Sequence, residues 1–190
     1  MSATKTKFDF FPATADRWTD LETLFGSRGA CGGCWCMTWR LPRAEFNRNK
    51  GEANRQALRE LVRRGPAPGV LAYADGKPVG WCAVAPREVY PALERSRILK
   101  PVDHQPVWSI SCLFVEKSYR RQGLSAQIIQ AAAEFAKTQG AKIVEGYPQV
   151  VAGDLPAAFV WTGLEQSFLK AGFIEVARRS PKRPILRSQT

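Results

Sequence analysis

Six consecutive residues, Arg120-Arg121-Gln122-Gly123-Leu124-Ser125, carry the strongest chemical signal in the chain. They stand where an apolar, strand-like run, 107–115, gives way to a helical pattern in which Leu124, Ile128, Ala132, Phe135 and Ala136 recur at helical spacing. A helix N-terminus offers unpaired N–H groups and the positive end of the helix dipole. Gly123 lets a ligand come close to the backbone because it has no Cβ. Two arginines and the preceding Lys117 add charge, so the ligand that suits this turn is a phosphate or pyrophosphate. The plain alternative is a strand-to-helix turn with solvated arginines, and the strand–turn–helix context weighs against it. The pattern is not a Walker A loop, since no Gly-Lys-Ser/Thr follows. It is not a dinucleotide fingerprint, since the turn holds one glycine.

A second cluster is Cys31, Cys34 and Cys36, set among glycines with Trp35 and Trp39. Three thiolates could bind a metal with His104, Cys82 or Cys112 as a fourth ligand. Structural zinc sites usually pair two such knuckles, and only one is present, so no metal is expected. A reactive thiol would need a lowered pKa that the sequence cannot show. The reading preferred is tight packing of small residues and tryptophan over a cleft, with cysteine acting as a small hydrophobe.

The elements that must position these residues follow from periodicity. Phe8–Phe11 suggests a first strand, and Trp18, Leu21, Leu24 and Phe25 an amphipathic helix. Residues 42–64 read as one further helix. Val70–Ala74 and Val79–Ala85 read as strands joined at Asp75-Gly76, a hairpin signal. Residues 86–106 read as loop with one helical turn near Tyr90–Leu93. In the run 107–115, Trp108, Ile110, Cys112 and Phe114 alternate and should share one face. After the helix, Ala141–Gly146 should lie parallel to that strand. A loop over 149–163, a short helix Leu164–Ala171, and strands at Phe173–Ala177 and Ile185–Arg187 complete the chain.

The 190 residues suggest one domain over 1–190, with 1–6 and 188–190 as loose ends. A hydrophobic content of 45% argues against disorder. No apolar run approaches the roughly 20 residues of a membrane helix, and Met1–Phe11 lacks a signal-peptide core, so a soluble, cytoplasmic protein is expected. Five cysteines, an odd number, argue for thiols. The net charge of +11 favours anionic partners without choosing among them.

The turn resembles the phosphate-binding signature of the GNAT superfamily of acyl-CoA-dependent N-acetyltransferases, Gln/Arg-x-x-Gly-x-Gly/Ala. Arg120, Gly123 and Ser125 fall on its fixed positions, with Ser125 in place of the usual Gly or Ala. The tail SFLKAGFIEV is similar to the family's end, and the element order matches from Phe8 to Arg187. The resemblance implies an α/β fold of α+β type: a mixed, mostly antiparallel sheet of about seven strands with a splayed parallel pair, flanked by about four helices. It implies acetyl-CoA as co-substrate, its pantetheine arm paired with backbone of Leu113, Phe114 and Val115. Its pyrophosphate would rest on Arg120, Arg121, Gln122, Gly123, Leu124 and Ser125. By position, Trp35 and Trp39 would line the acceptor site.

The family's usual catalytic tyrosine position is Phe168 here, and its usual glutamate position is Ser109. Three explanations fit: other groups serve, with Glu145, Tyr147 and Glu116 as candidates and plain surface placement as the alternative for each; coenzyme A leaves as thiolate without help; or the protein binds acyl-CoA without transferring. His104, Glu88 and Asp103 are weaker candidates. The leading expectation is acetyl transfer to a primary amine of a small molecule or protein by direct attack in a ternary complex. The alternatives are an acyl-CoA-binding protein without transferase activity, a basic nucleic-acid-binding module resting on the tail 178–187, and a Cys-metal module. No membrane partner is expected and nucleic acid is disfavoured. The resemblance also admits a homodimer.

Overall fold

The computed structural model describes residues 6–151, 153, 156 and 159–189. Seven strands form one sheet: β1 (Asp9–Pro12), β2 (Gly69–Ala74), β3 (Lys77–Pro86), β4 (Trp108–Val115), β5 (Ile143–Gly146), β6 (Ile174–Ala177) and β7 (Ile185–Gln189). Their order is β1-β2-β3-β4-β5-β7-β6. The helices are α1 (Trp18–Phe25), α2 (Arg43–Arg48), α3 (Glu52–Arg64), α4 (Pro91–Glu94), α5 (Leu124–Thr138) and α6 (Glu165–Lys170). Every strand pair is antiparallel except β4 and β5, which the crossover helix α5 joins.

Both faces of the sheet are covered. On one, Ile128, Ile129, Ala132 and Ala136 of α5 pack on Val70, Val79, Val84 and Ile110. On the other, Leu21 and Phe25 of α1, Leu58 and Val62 of α3, and Trp35 and Met37 pack on Leu71, Trp81 and Ala83. This is why all six residues of β2 are buried and why the strand reads as a continuous apolar run. Leu58 is fully buried, which is worth roughly 2 kcal/mol by the usual area relation.

The parallel pair is short. Trp108, Ser109 and Ile110 pair with Val144, Glu145 and Gly146, and there the pairing stops. The second half of β4 therefore has no strand neighbour on that side, and the sheet opens into a splay. A bulge sits at the same place: Val84 pairs with Ile110 but Ala83 with Cys112, leaving Ser111 as an extra residue. One extra residue reverses the side-chain alternation beyond it. The expected common face of Trp108, Ile110, Cys112 and Phe114 is thereby corrected. Ile110 and Leu113 face α5, while Cys112 and Phe114 face the α1 side.

Three other expectations change. The single helix over 42–64 breaks at Gly51, whose φ of +91 suits glycine and whose N–H donates to the Gly33 carbonyl at 3.0 Å. The loop over 86–106 carries a 3-10 turn at Arg87–Val89 as well as α4. Ser188 and Gln189 are not a loose end, because β7 pairs them with Val144 and Ile143. Residues 1–5, Thr190 and part of the expected 149–163 loop lie outside the described residues. The described Thr6 hydroxyl donates to Gln122 Oε1 at 3.2 Å.

Candidate active site

The basic turn leaves β4 through a 3-10 turn, Lys117–Tyr119, and enters α5 at Gly123. Arg121 has φ +62 and Gly123 φ +80, so two left-handed residues flank Gln122. Such alternation turns successive N–H groups toward one side and forms an anion-holding concavity. The first turn of α5 contains no acidic residue, so its free N–H groups and dipole are uncontested. A Cβ on Gly123 would meet nothing nearer than Gln127 Nε2 at 4.0 Å, so the glycine is needed for its conformation rather than for space. Arg120 donates from Nε to the Val115 carbonyl at 2.9 Å, tying the turn to the end of β4.

A cleft of about 330 Å³ begins at this turn and runs into the splay. Leu113, Phe114 and Val115 form one wall, Arg120, Arg121 and Ser125 the mouth, and Val160, Gly163, Leu164 and Ser167 the other wall. The structure thus brings six of the nine expected cofactor residues onto one cleft. The Leu113 N–H, at the inner end, donates to the Trp161 carbonyl at 2.7 Å. Trp161 lay in an unpatterned loop, and no sequence signal pointed to it.

The three catalytic candidates do not come together. Glu145 and Tyr147 meet in a buried network, and Glu116 lies apart beside the turn. The Tyr147 hydroxyl donates to Glu145 Oε2 at 2.6 Å, accepts from Arg87 Nη1 at 2.7 Å, and lies 2.8 Å from Ser109 Oγ. Arg187 Nε donates to Glu145 Oε1 at 2.8 Å, and Arg87 Nη1 to Oε2 at 3.2 Å. Arg187 also reaches Asp103, and Arg87 reaches Glu94 at 2.6 Å. Both Glu145 and Tyr147 are buried, at 1% and 0% exposed, and neither is among the residues that line the cleft. Burial first, then the charge of Glu145, raises the Tyr147 pKa well above the usual phenol value, and the hydroxyl stays protonated at neutral pH. Ser109 and Glu145 are register partners across the parallel pair. A carboxylate therefore stands one strand over from the family's glutamate position, a juxtaposition that the sequence hides. Glu116 caps the 3-10 turn by accepting from the Ser118 N–H at 2.9 Å and from the Ser118 hydroxyl, and the hydroxyl's hydrogen bond holds its pKa below the usual range.

Phe168 is fully buried, edge-on to Phe173 at 5.2 Å. It lies so close to Gly146 that a Cβ there would fall 2.0 Å from its ring. His104 sits in the exposed 103–106 loop.

The Cys-Gly-Trp stretch is a run of left-handed backbone, with positive φ at Ala30, Gly32, Gly33, Trp35 and Cys36. A Cβ on Gly33 would fall 2.5 Å from Gly51 N, so close approach explains that glycine. Cys31 is exposed, Cys34 half-buried and Cys36 buried. Among the described residues no three His, Cys, Asp or Glu side chains are placed to hold a metal. Burial pushes the Cys34 thiol up to about 11 and raises Cys36 well above its ordinary value. Trp35 packs in the core against Trp18 and Phe25, with ring centroids at 6.3 and 5.6 Å. Trp39 instead stands edge-on to Tyr147 at 5.7 Å and to Trp161 at 5.1 Å, beside the splay.

Several arginines of the basic tail are tied to the fold, although Arg178, Arg179 and Lys182 stay exposed. Arg178 pairs with Glu165 and Glu175, Arg179 donates to the carbonyls of Lys100 and Pro101 at 2.6 and 3.0 Å, and Arg187 joins the network above. Among the described residues no helix is long and apolar enough to cross a membrane.

A seven-stranded sheet splayed at its parallel pair, with an anion-holding turn at the head of the crossover helix, is the architecture of an acyl-CoA-dependent transferase. The model of the acetyltransferase (GNAT) family matches residues 35–161, more than half of the chain, and the protein belongs to that family of acetyl-CoA-dependent acyltransferases. No curated protein sequence matches it. Its structural relatives include the PaiA N-acetyltransferase from Thermoplasma acidophilum in complex with coenzyme A. The two are 12% identical, over 97% of this chain and 99% of that one, with a TM-score of 0.53. An aminoglycoside N-acetyltransferase in complex with CoA is 16% identical over 95% of this chain and 96% of its own, at 0.54. The polyamine N-acetyltransferase of Drosophila melanogaster, which forms N-acetylagmatine, is 11% identical over 97% and 100%, at 0.56. These likenesses establish the fold.

Proposed function

We propose that the protein transfers the acetyl group of acetyl-CoA to a primary amine by direct attack within a ternary complex. The observation that carries this reading is the cleft running from the turn 120–125 into the splay beside Leu113–Val115. Backbone N–H groups from Arg121 to Ser125 would hold the pyrophosphate. The pantetheine arm would lie along the unpaired half of β4, taking the Leu113 N–H from the Trp161 carbonyl. The amine lone pair attacks the thioester carbon and forms the C–N bond. The tetrahedral oxyanion is held by N–H donors of the splayed strand. The C–S bond then breaks, and coenzyme A leaves as thiolate.

The proton of the attacking amine needs an acceptor. Glu145 and Tyr147 are buried and engaged with two arginines, so this reading gives them a holding role. The proton passes to water or to the departing thiolate. The turn and cleft support transfer in a single domain, in a compartment that supplies acetyl-CoA.

The test is calorimetric titration with acetyl-CoA. Binding in the micromolar range is expected. Gly123→Val should weaken it by tenfold or more, because a β-branched residue at φ +80 costs roughly 1–3 kcal/mol and redirects the N–H groups. An unchanged Kd in the variant would remove the turn from the cofactor site.

A further inference from the structure

Two of the five cysteines touch across the fold. The Cys36 thiol donates to the Cys112 sulfur at 3.5 Å, although 76 positions separate them in the chain. Cys36 is buried and Cys112 half-buried. The Trp81 indole N–H also donates to the Cys36 sulfur, at 2.8 Å.

Both sulfurs are held in place by structure on their own side. Trp35 and Cys36 take left-handed backbone, with φ of 35 and 54, a conformation that residues with a side chain keep only where the surroundings impose it. Packing imposes it here. Trp35 lies against Trp18 and Phe25 and over Gly29, where a Cβ would fall 2.1 Å from Trp35 Nε1. On the other side, Cys112 is fixed by its pairing with Ala83, just past the bulge at Ser111. That bulge turns Cys112 toward the α1 side of the sheet, where Cys36 packs. Without the extra residue the Cys112 side chain would face α5, away from Cys36.

We infer that Cys36 and Cys112 form a dithiol site that hydrogen peroxide closes to an intrachain disulfide and a thiol reductant reopens. Cys112 is the more accessible of the two and accepts the Cys36 S–H, so it reacts first. Its thiolate attacks a peroxide oxygen and the O–O bond breaks. The departing hydroxide takes up the thiol proton and leaves as water, and Cys112 carries a sulfenic acid. Burial, then the bond to Cys112, raises the Cys36 pKa, and Cys36 keeps its proton until the second step. There its sulfur attacks the Cys112 sulfur, the S–O bond breaks, and the oxygen leaves with the Cys36 proton as a second water. The two sulfurs together give up two electrons, and the peroxide takes them. The sulfurs close from 3.5 Å to about 2.05 Å. Cys112 directly precedes Leu113 of the cleft wall, so the new bond ties the cysteine–tryptophan segment to the strand that lines the cleft.

The experiment treats the full chain with a small excess of hydrogen peroxide, alkylates the remaining thiols in denaturant and maps the tryptic peptides. Titratable thiols should fall by two from the original five. The peptide 29–40 should appear joined to the peptide 98–117, and fragmentation should place the link at Cys36 rather than at Cys31 or Cys34. Dithiothreitol should restore all five thiols. Cys31→Ser removes an exposed thiol and should leave the link intact, whereas Cys36→Ser should abolish it. An unchanged thiol count overturns the assignment, since two thiols in mere packing contact stay thiols. So does a link from Cys112 to Cys31 or Cys34, a link between chains only, or irreversible oxidation of Cys112 without any link. The map of the parent chain decides the matter even where a variant fails to fold.

Discussion

Tyr147→Phe separates a structural from a catalytic role for the buried network. The substitution removes one oxygen and keeps the ring, so the contact with Trp39 at 5.7 Å survives. Three hydrogen-bond relations disappear, to Glu145 at 2.6 Å, Arg87 at 2.7 Å and Ser109 at 2.8 Å. The direct bonds of Glu145 to Arg87 at 3.2 Å and Arg187 at 2.8 Å remain and limit the damage. A bond to a charged partner contributes about 1.5–3 kcal/mol, and an orphaned buried hydroxyl such as that of Ser109 costs about 1–3. A net loss of roughly 3 kcal/mol follows, or about 6–12 °C in Tm for a chain of this size. The assays are thermal unfolding by circular dichroism and steady-state transfer at 25 °C, where both proteins are folded. A holding role predicts the Tm loss with kcat within about tenfold and an unshifted pH profile, whereas loss of a general acid costs about 100- to 10,000-fold. A Tm within 2 °C of the parent together with a hundredfold fall in kcat would refute the reasoning and make Tyr147 a proton donor.

The remaining predictions concern packing and pH. Gly146→Ala should destabilise by about 1–3 kcal/mol, since its Cβ would fall 2.0 Å from the Phe168 ring; in a denaturant double-mutant cycle Phe168→Leu should recover part of that loss. Gly33→Ala should cost about 1–3 kcal/mol, read as a lower urea midpoint, because φ is +72 and the Cβ meets Gly51 backbone at 2.5 Å. Hydrogen bonding from Arg187 lowers the Asp103 pKa to about 2. The unfolded value is about 3.9, so the contribution of Asp103 is complete above roughly pH 4 and is lost as pH falls through the folded value. Unfolding midpoints from pH 5 to 2 should fall less steeply in Asp103→Asn, and an unchanged slope would remove that carboxylate from the account.

Elements with one strong local cause were legible in the chain. The hairpin at Asp75-Gly76 has the positive φ values, 49 and 74, that its turn residues favour. The pattern from Leu124 to Ala136 fixed α5 and its buried face. Features that depend on pairing between distant segments were not. The Ser111 bulge is hidden because the run turns continuously apolar from Cys112 to Val115, so the sequence does not show which of those side chains share a face. The approach of Ser109 to Glu145 depends on parallel register, which no short-range rule sets. The Gly51 break was obscured because helix-forming residues stand on both sides, and its cause is the chain at Gly33. At the site, the turn was visible because Gly123, the arginines and the helix start are contiguous. The place of Trp161 against Leu113 and Trp39 depends on contacts between distant segments that no short-range pattern sets.

The bond from Leu113 to Trp161 also bears on the colloidal behaviour of the protein. A splayed strand exposes a row of bare backbone groups, the kind of edge on which a second chain can add a strand and begin to aggregate. Here the Trp161 carbonyl occupies the inner donor of that row, with an indole beside it. Under the proposed cofactor placement, a pantetheine amide at Leu113 would exchange one hydrogen bond for another, with little gained or lost. The inner donor of the splayed strand is thus covered by the fold's own loop, which disfavours strand addition at that point.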